Sequence, residues 1–134
     1  MEQIALKMPV TIKAKLTEKL KGKILEELTN GIQRAELEIQ QINAQEKRAM
    51  EEQGNEPQRA AAIQQYFGQE RQKRLEYRAE ALAKKEETEK LALGAEIVQG
   101  TLERQVEVKV GDNMRELMNV EVLVEDDKII AIRG

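Results

Sequence analysis

Residues 3–16, QIALKMPVTIKAKL, decide how the chain is organised. The even positions Ile4, Leu6, Met8, Val10, Ile12, Ala14 and Leu16 are apolar, while Gln3, Ala5, Lys7, Pro9, Thr11, Lys13 and Lys15 occupy the odd ones. A period of two predicts a strand with one buried face. Pro9 has no N–H for a ladder, so it predicts an edge or a bulge at that point. A single strand cannot bury its apolar face alone, so the partners of this one must be sought elsewhere in the chain.

They are expected at the far end. Val106, Val108 and Val110 alternate with Glu107 and Lys109, and Val120, Val122 and Val124 flank Glu121 and Leu123. Asp126-Asp127 then separates that strand from Ile129-Ile130-Ala131-Ile132, a hairpin signal. Between the valine runs, Gly111 to Met118 predicts one helical turn with Asp112 as its N-cap.

The stretch between the two ends is helical. Thr17 is a candidate N-cap, although Leu20 stands where a capping box would place Glu. Leu25, Leu28, Ile32, Ala35, Ile39, Ile42, Glu46 and Ala49 follow three-four spacing, which predicts one heptad-seamed helix over 17–53. That helix passes through Thr29-Asn30-Gly31, and Gly31 costs about 1 kcal/mol relative to Ala. Gly54 suits the end of this helix and Pro57 the first turn of the next, expected over about 57–92. The second seam is poorer: Leu75, Ala79 and Leu82 share their line with Gln72, Glu86 and Glu89. Two helices joined by a short loop lie antiparallel, with arms roughly 50 Å long.

The expected fold class is therefore α+β. A small antiparallel β domain, formed by the N-terminal strand and three C-terminal strands (1–16 and 94–134), is interrupted by a long antiparallel two-helix coiled-coil hairpin (17–93).

Composition narrows the function classes. The 134 residues include no Cys, His, Trp or Ser, and the aromatics are Tyr66, Phe67 and Tyr77. Disulfides, zinc–thiolate centres, Cys nucleophiles, His ligands and His-based triads are excluded. Threonine has no imidazole to activate it. The chain is read as no enzyme, with no catalytic residue, metal or cofactor. Asp126-Asp127 reads as a turn, and Glu86, Glu87 and Glu89 as ordinary acids of an exposed helix. No apolar run approaches the ~20 residues that span a bilayer, and the N-terminus lacks signal-peptide character, so the expected location is the cytoplasm, with no membrane partner. A small core without aromatics is marginal, so self-association as a homo-oligomer is expected.

Charge is distributed unevenly behind a net of −3. Residues 1–23 hold six lysines against Glu2 and Glu18, a net of +4, and residues 95–134 hold nine acids against five bases, a net of −4. Lys13, Lys15, Lys19, Lys21 and Lys23 are candidate partner- or RNA-binding residues, since lysines beside a polyanion release counterions. Two other readings stand beside that one: a solvated face or lysine-guarded edge, and cross-strand ion pairs with the acidic C-terminal strands. Arg71, Arg74 and Arg78, with Lys73, form a second candidate strip. Glu70, Glu76 and Glu80 alternate with them, which equally suits paired helix charges.

Several pieces of the chain resemble the YlqD family of bacterial proteins. They are Leu93-Gly94-Ala95-Glu96, Val110-Gly111-Asp112 with Met118 following, the closing Val124 to Arg133 hairpin, and Leu16-Thr17-Glu18-Lys19 near the start. The resemblance covers both ends, about half the chain; the middle matches only as charged helix. Where relatives often carry Asp-Gly in the last turn, this chain has Asp127-Lys128. The resemblance implies a domain of unknown function with no assigned catalytic residues. In some bacteria its members lie near genes for ribosome maturation and a small ribosomal protein. A ribosomal or RNA partner is thus one expectation. A homo-oligomeric structural module without nucleic acid is the alternative.

Overall fold

Alternation at residues 3–16 produces the strand it predicts, β1 (Gln3–Lys15), and Leu16 follows as the most enclosed large side chain of the molecule. The computed structural model describes residues 1–134, in the order β1, α1 (Glu18–Gln53), α2 (Pro57–Lys90), β2 (Glu96–Lys109), α3 (Met114–Met118), β3 (Val120–Glu125) and β4 (Lys128–Arg133). The α+β class, the four strands and the two long helices are those expected. By internal contacts the chain divides into two compact units, residues 1–21 with 91–134, and residues 22–90.

In the first unit the strands lie in the order β2-β1-β3-β4. β1 pairs antiparallel with β2 along its full length, from Gln3 opposite Lys109 to Lys15 opposite Glu96. It pairs in parallel with β3 over Val10–Ala14, and β3 pairs antiparallel with β4. The sheet is thus mixed rather than wholly antiparallel. The chain reverses between β1 and β2 and again between β2 and β3, where α3 lies, so β3 runs the way β1 does. Pro9 falls one residue before the β3 ladder begins, where β1 has a neighbour on one side only. Its missing donor therefore costs nothing there, although β1 is a central strand.

The junctions follow local chemistry. Thr17 caps α1: its Oγ1 accepts from the Leu20 amide at 3.1 Å and donates to Asp126 Oδ1 at 2.8 Å. The cap of α3 is Asn113, not Asp112; Asn113 Oδ1 accepts from the amides of Arg115 and Glu116. Asp112 instead accepts from the Lys109 amide, tying down the turn after β2. Asp126 and Asp127 adopt φ values of 46° and 72°, the left-handed pair of a type I′ hairpin turn. Aspartate tolerates that conformation, but glycine adopts it without steric cost. Asp127→Gly is expected to raise stability by about 0.5–1 kcal/mol in urea unfolding; a loss would show that the aspartate side chain holds the turn.

The second unit is an antiparallel pair of helices. Every position of the α1 seam, from Leu25 to Ala49, is buried or half-buried, and the helix runs unbroken through Thr29-Asn30-Gly31. Gly31 has a packing reason: a Cβ there would collide with the Tyr77 hydroxyl of α2. The α2 seam differs from the expected one. Leu75 and Leu82 are exposed, as is Ala79. Facing inward are Ala60, Ile63 and Phe67 near the tip, then Arg71, Arg74 and Arg78, then Ala81, Lys85 and Thr88. This is also three-four spacing, one residue out of phase with the line of leucines. Arginine stems fill the seam while the guanidinium groups reach acids of α1.

Candidate interaction surfaces

The cations singled out in the sequence go to different places. Lys13 Nζ lies 2.9 Å from Glu121 Oε1 of β3, and Lys15 is paired in register with Glu96 of β2. Lys21 Nζ donates to the Leu91 carbonyl oxygen at 2.8 Å. Lys19 and Lys23 are exposed. Arg71 pairs with Glu46 and donates through Nε to Asn43 Oδ1 at 2.9 Å. Arg74 reaches Glu38 at 3.1 Å and Glu70 at 2.6 Å, and Arg78 reaches Glu36 at 3.3 Å. The strip on α2 is therefore the zipper between the two helices. Its Lys73 and Arg74 line an open groove of about 390 Å³ with Gly31, Ala35 and Tyr77.

The lysine-bearing face of the sheet carries a second network. Arg133 of β4 forms a two-pronged pair with Glu96 of β2, at 2.7 and 3.0 Å, and lies 3.6 Å from Glu121. With Lys13, this ties all four strands together. The hydrogen bonds from Arg133 pull the Glu96 carboxyl below the usual carboxylate range against the opposing effect of burial, aided by the nearby charges of Arg133, Lys13 and Lys15. Glu70 is lowered in the same way, first by its bond from Arg74 and then by the charge of Lys73. A carboxyl lowered in the folded state stabilises the fold above its unfolded value, about 4.3, and that stabilisation is lost as pH falls through the folded value. The urea midpoint is expected to stay level from neutrality to about pH 5 and then fall. Arg133→Met should flatten part of the fall; identical profiles would mean that Glu96 titrates alike in both states.

The opposite face of the sheet is of another kind. The even positions of β1 align with Val108, Val106, Leu102, Gly100 and Ile97 of β2 and with Val120, Val122 and Val124 of β3, and the row continues to Ile132 and Ile129 of β4. Arg104, opposite Met8, is the sole charged residue in these rows, and it donates to the Leu117 carbonyl oxygen of α3 at 3.4 Å. Met8, Val10 and Ala14 are buried, whereas Leu102, Ile129 and Ile132 stand exposed. Sequence reasoning did not single out this surface. The first half of β2 hides its alternation, because the pairing register shifts at Ile12/Lys13 and displaces Leu102 from the parity of Ile97. The unbroken Ile129 to Ile132 run was the available signal.

No three carboxylates gather where they could hold a metal ion, and no helix is long and apolar enough to cross a membrane. No protein with a curated description matches the chain. A crystal structure of a protein of unknown function from Synechococcus sp. WH 8102 superposes with a TM-score of 0.88 at 27% identity, covering 98% of this chain and 97% of that one. The family model described as YlqD protein matches residues 4–133, including the middle that sequence reading saw only as charged helix. The chain belongs to the YlqD family.

Proposed function

We propose that this chain is a non-enzymatic binding and assembly protein of the cytoplasm that acts by meeting other proteins, its own copies among them. One observation carries this reading: five of the eight candidate cations are engaged internally, while several large aliphatic residues of the sheet are free. Arg71, Arg74, Arg78 and Lys13 are held by the chain's own acids, whereas Leu102, Ile129 and Ile132 face solvent. Binding a phosphate backbone needs cations that displace its counterions, and an arginine held between Glu38 and Glu70 must first break those pairs. The displaced carboxyls support the non-catalytic reading too. Glu70 and Glu96 are shifted toward ionisation on open surfaces, the reverse of what an acid catalyst needs.

Lys19 and Lys23 favour a second reading, in which the chain contacts ribosomal RNA through them. Affinity capture of the full chain from native extract, with and without nuclease, separates the two. Protein capture that survives nuclease and about 0.5 M salt supports assembly through protein contacts. Capture that vanishes with nuclease, and weakens steeply as salt is raised, supports the RNA reading and overturns the first.

A further inference from the structure

Resting on the assembly reading, we infer that the aliphatic face of the sheet is the interface of a two-fold dimer, with a second copy of this chain as its occupant. Ile12, Leu102, Val122, Ile129 and Ile132 form one contiguous patch across β2, β1, β3 and β4. Leu102 is 64% exposed, Ile129 63% and Ile132 72%. With the partly covered Ile12 and Val122, the patch presents on the order of 400 Å² of aliphatic surface, in the range of the largest patches on monomers, which are often functional. A standard interface takes about 800 Å² from each partner, and homodimer interfaces are about 65% apolar. The patch thus supplies most of the apolar area that one copy must bring.

Charge selects the occupant. In a two-fold dimer a patch meets its own copy, so a surface dominated by one sign of charge repels itself. This face is where two copies can meet without opposing like charges, since its one cation, Arg104, is directed to Leu117 of α3. The patch has no aromatic residue for a base to stack on and no free cation for a phosphate. The face is covered over Met8, Val10 and Ala14 of β1 but not over Leu102 of β2 or Ile129 and Ile132 of β4, and a second sheet at about 10 Å supplies that missing cover.

Sedimentation velocity on the purified full chain, from about 1 to about 100 µM, tests the inference. The wild type is expected to dimerise. Ile132→Glu and Leu102→Glu, both at exposed sites and checked for folding by circular dichroism, should each weaken the dimer at least about a hundredfold by setting like charges face to face. Val98→Glu is the control: Val98 is 66% exposed but lies opposite Lys13 on the other face, and the variant should dimerise as the wild type does. A wild type that stays monomeric at 100 µM overturns the dimer, as does a monomer that floats with neutral phosphatidylcholine vesicles, which would make lipid the occupant. Equal association in the wild type and both glutamate variants overturns the location, as would equal weakening by Val98→Glu. A monomer that still captures proteins from nuclease-treated extract removes the dimer and leaves the assembly reading in place.

Discussion

Leu16→Ala is expected to cost about 3 kcal/mol, a large share of what a small domain has to lose. Leu16 is the largest side chain to be fully enclosed, at 1% exposure. Its backbone is held on both sides: its amide donates to the Ala95 carbonyl oxygen at 2.7 Å, and its carbonyl oxygen accepts from the Gly94 amide at 2.8 Å. The two bonds clamp the exit of β1 to the segment that enters β2. Gly94 takes a φ of +91° there, a conformation that side chains disfavour. Truncating Leu16 removes the methyl groups, while the pinned backbone cannot move in to fill the space. The site therefore collapses poorly, and the cost should sit in the middle or upper part of the range for buried leucines. Urea unfolding at low protein concentration should show a lower midpoint with an unchanged slope. Leu102→Ala at 64% exposure is the matched control and should cost well under 1 kcal/mol in the monomer. A loss below about 1 kcal/mol for Leu16→Ala would mean that the strand–helix junction is not where the first unit is held together.

The same residue shows how far the fold could be read from sequence. Leu16 closes the alternation of residues 3–16, and that alternation alone separated a strand from the helix that follows. Gly54, Pro57 and Asp126-Asp127 act where turn chemistry placed them, because each depends only on its immediate neighbours. The misread features depend on partners. β3 runs parallel to β1 because of the path the chain takes through β2 and α3, and no residue within β3 encodes that direction. The α2 seam was sought along Leu75, Ala79 and Leu82, but a seam can be lined by any long side chain with an apolar stem. The arginines took it because α1 offers Glu36, Glu38 and Glu46 opposite. Asn113 displaced Asp112 as the α3 cap because Asp112 is drawn back to Lys109. Among the candidate cations, the cross-strand alternative holds for Lys13, and the paired-charge alternative holds for the α2 strip in part. Arg74 has its intrahelical partner Glu70, yet it also reaches across to Glu38. The exposed aliphatic patch was hard to read for a geometric reason: register shifts in β2 and β4 change which parity faces which way.

Reversing the charge of that zipper should have the second large effect. Arg71→Glu, Arg74→Glu and Arg78→Glu together place acids against Glu46, Glu38 and Glu36. Each lost pair is partly solvated and worth at most about 1 kcal/mol, and the new repulsions oppose pairing by similar amounts. The combined penalty is then about 3–4 kcal/mol. The pair of helices has little to offset it, because the middle of α2 otherwise offers only Tyr77, packed on Gly31, and the half-buried Glu70. Helical ellipticity at 222 nm should fall and thermal unfolding should come earlier. Raising salt to about 1 M, which shortens the screening length to about 3 Å, should recover part of the loss. The decisive arm is the counter-reversal. Adding Glu36→Arg, Glu38→Arg and Glu46→Arg restores opposite charges at every crossing and should return most of the stability. It should not return all of it, since Glu70 would still face a glutamate at position 74, one turn along α2. Substitutions that merely lowered helix propensity would not be rescued from the other helix, so rescue tests the antiparallel register itself. A triple variant that keeps wild-type stability would show that these arginines are not the cement of the pair. They would then be available to a polyanion, which would favour the RNA reading of this chain over assembly through its sheet.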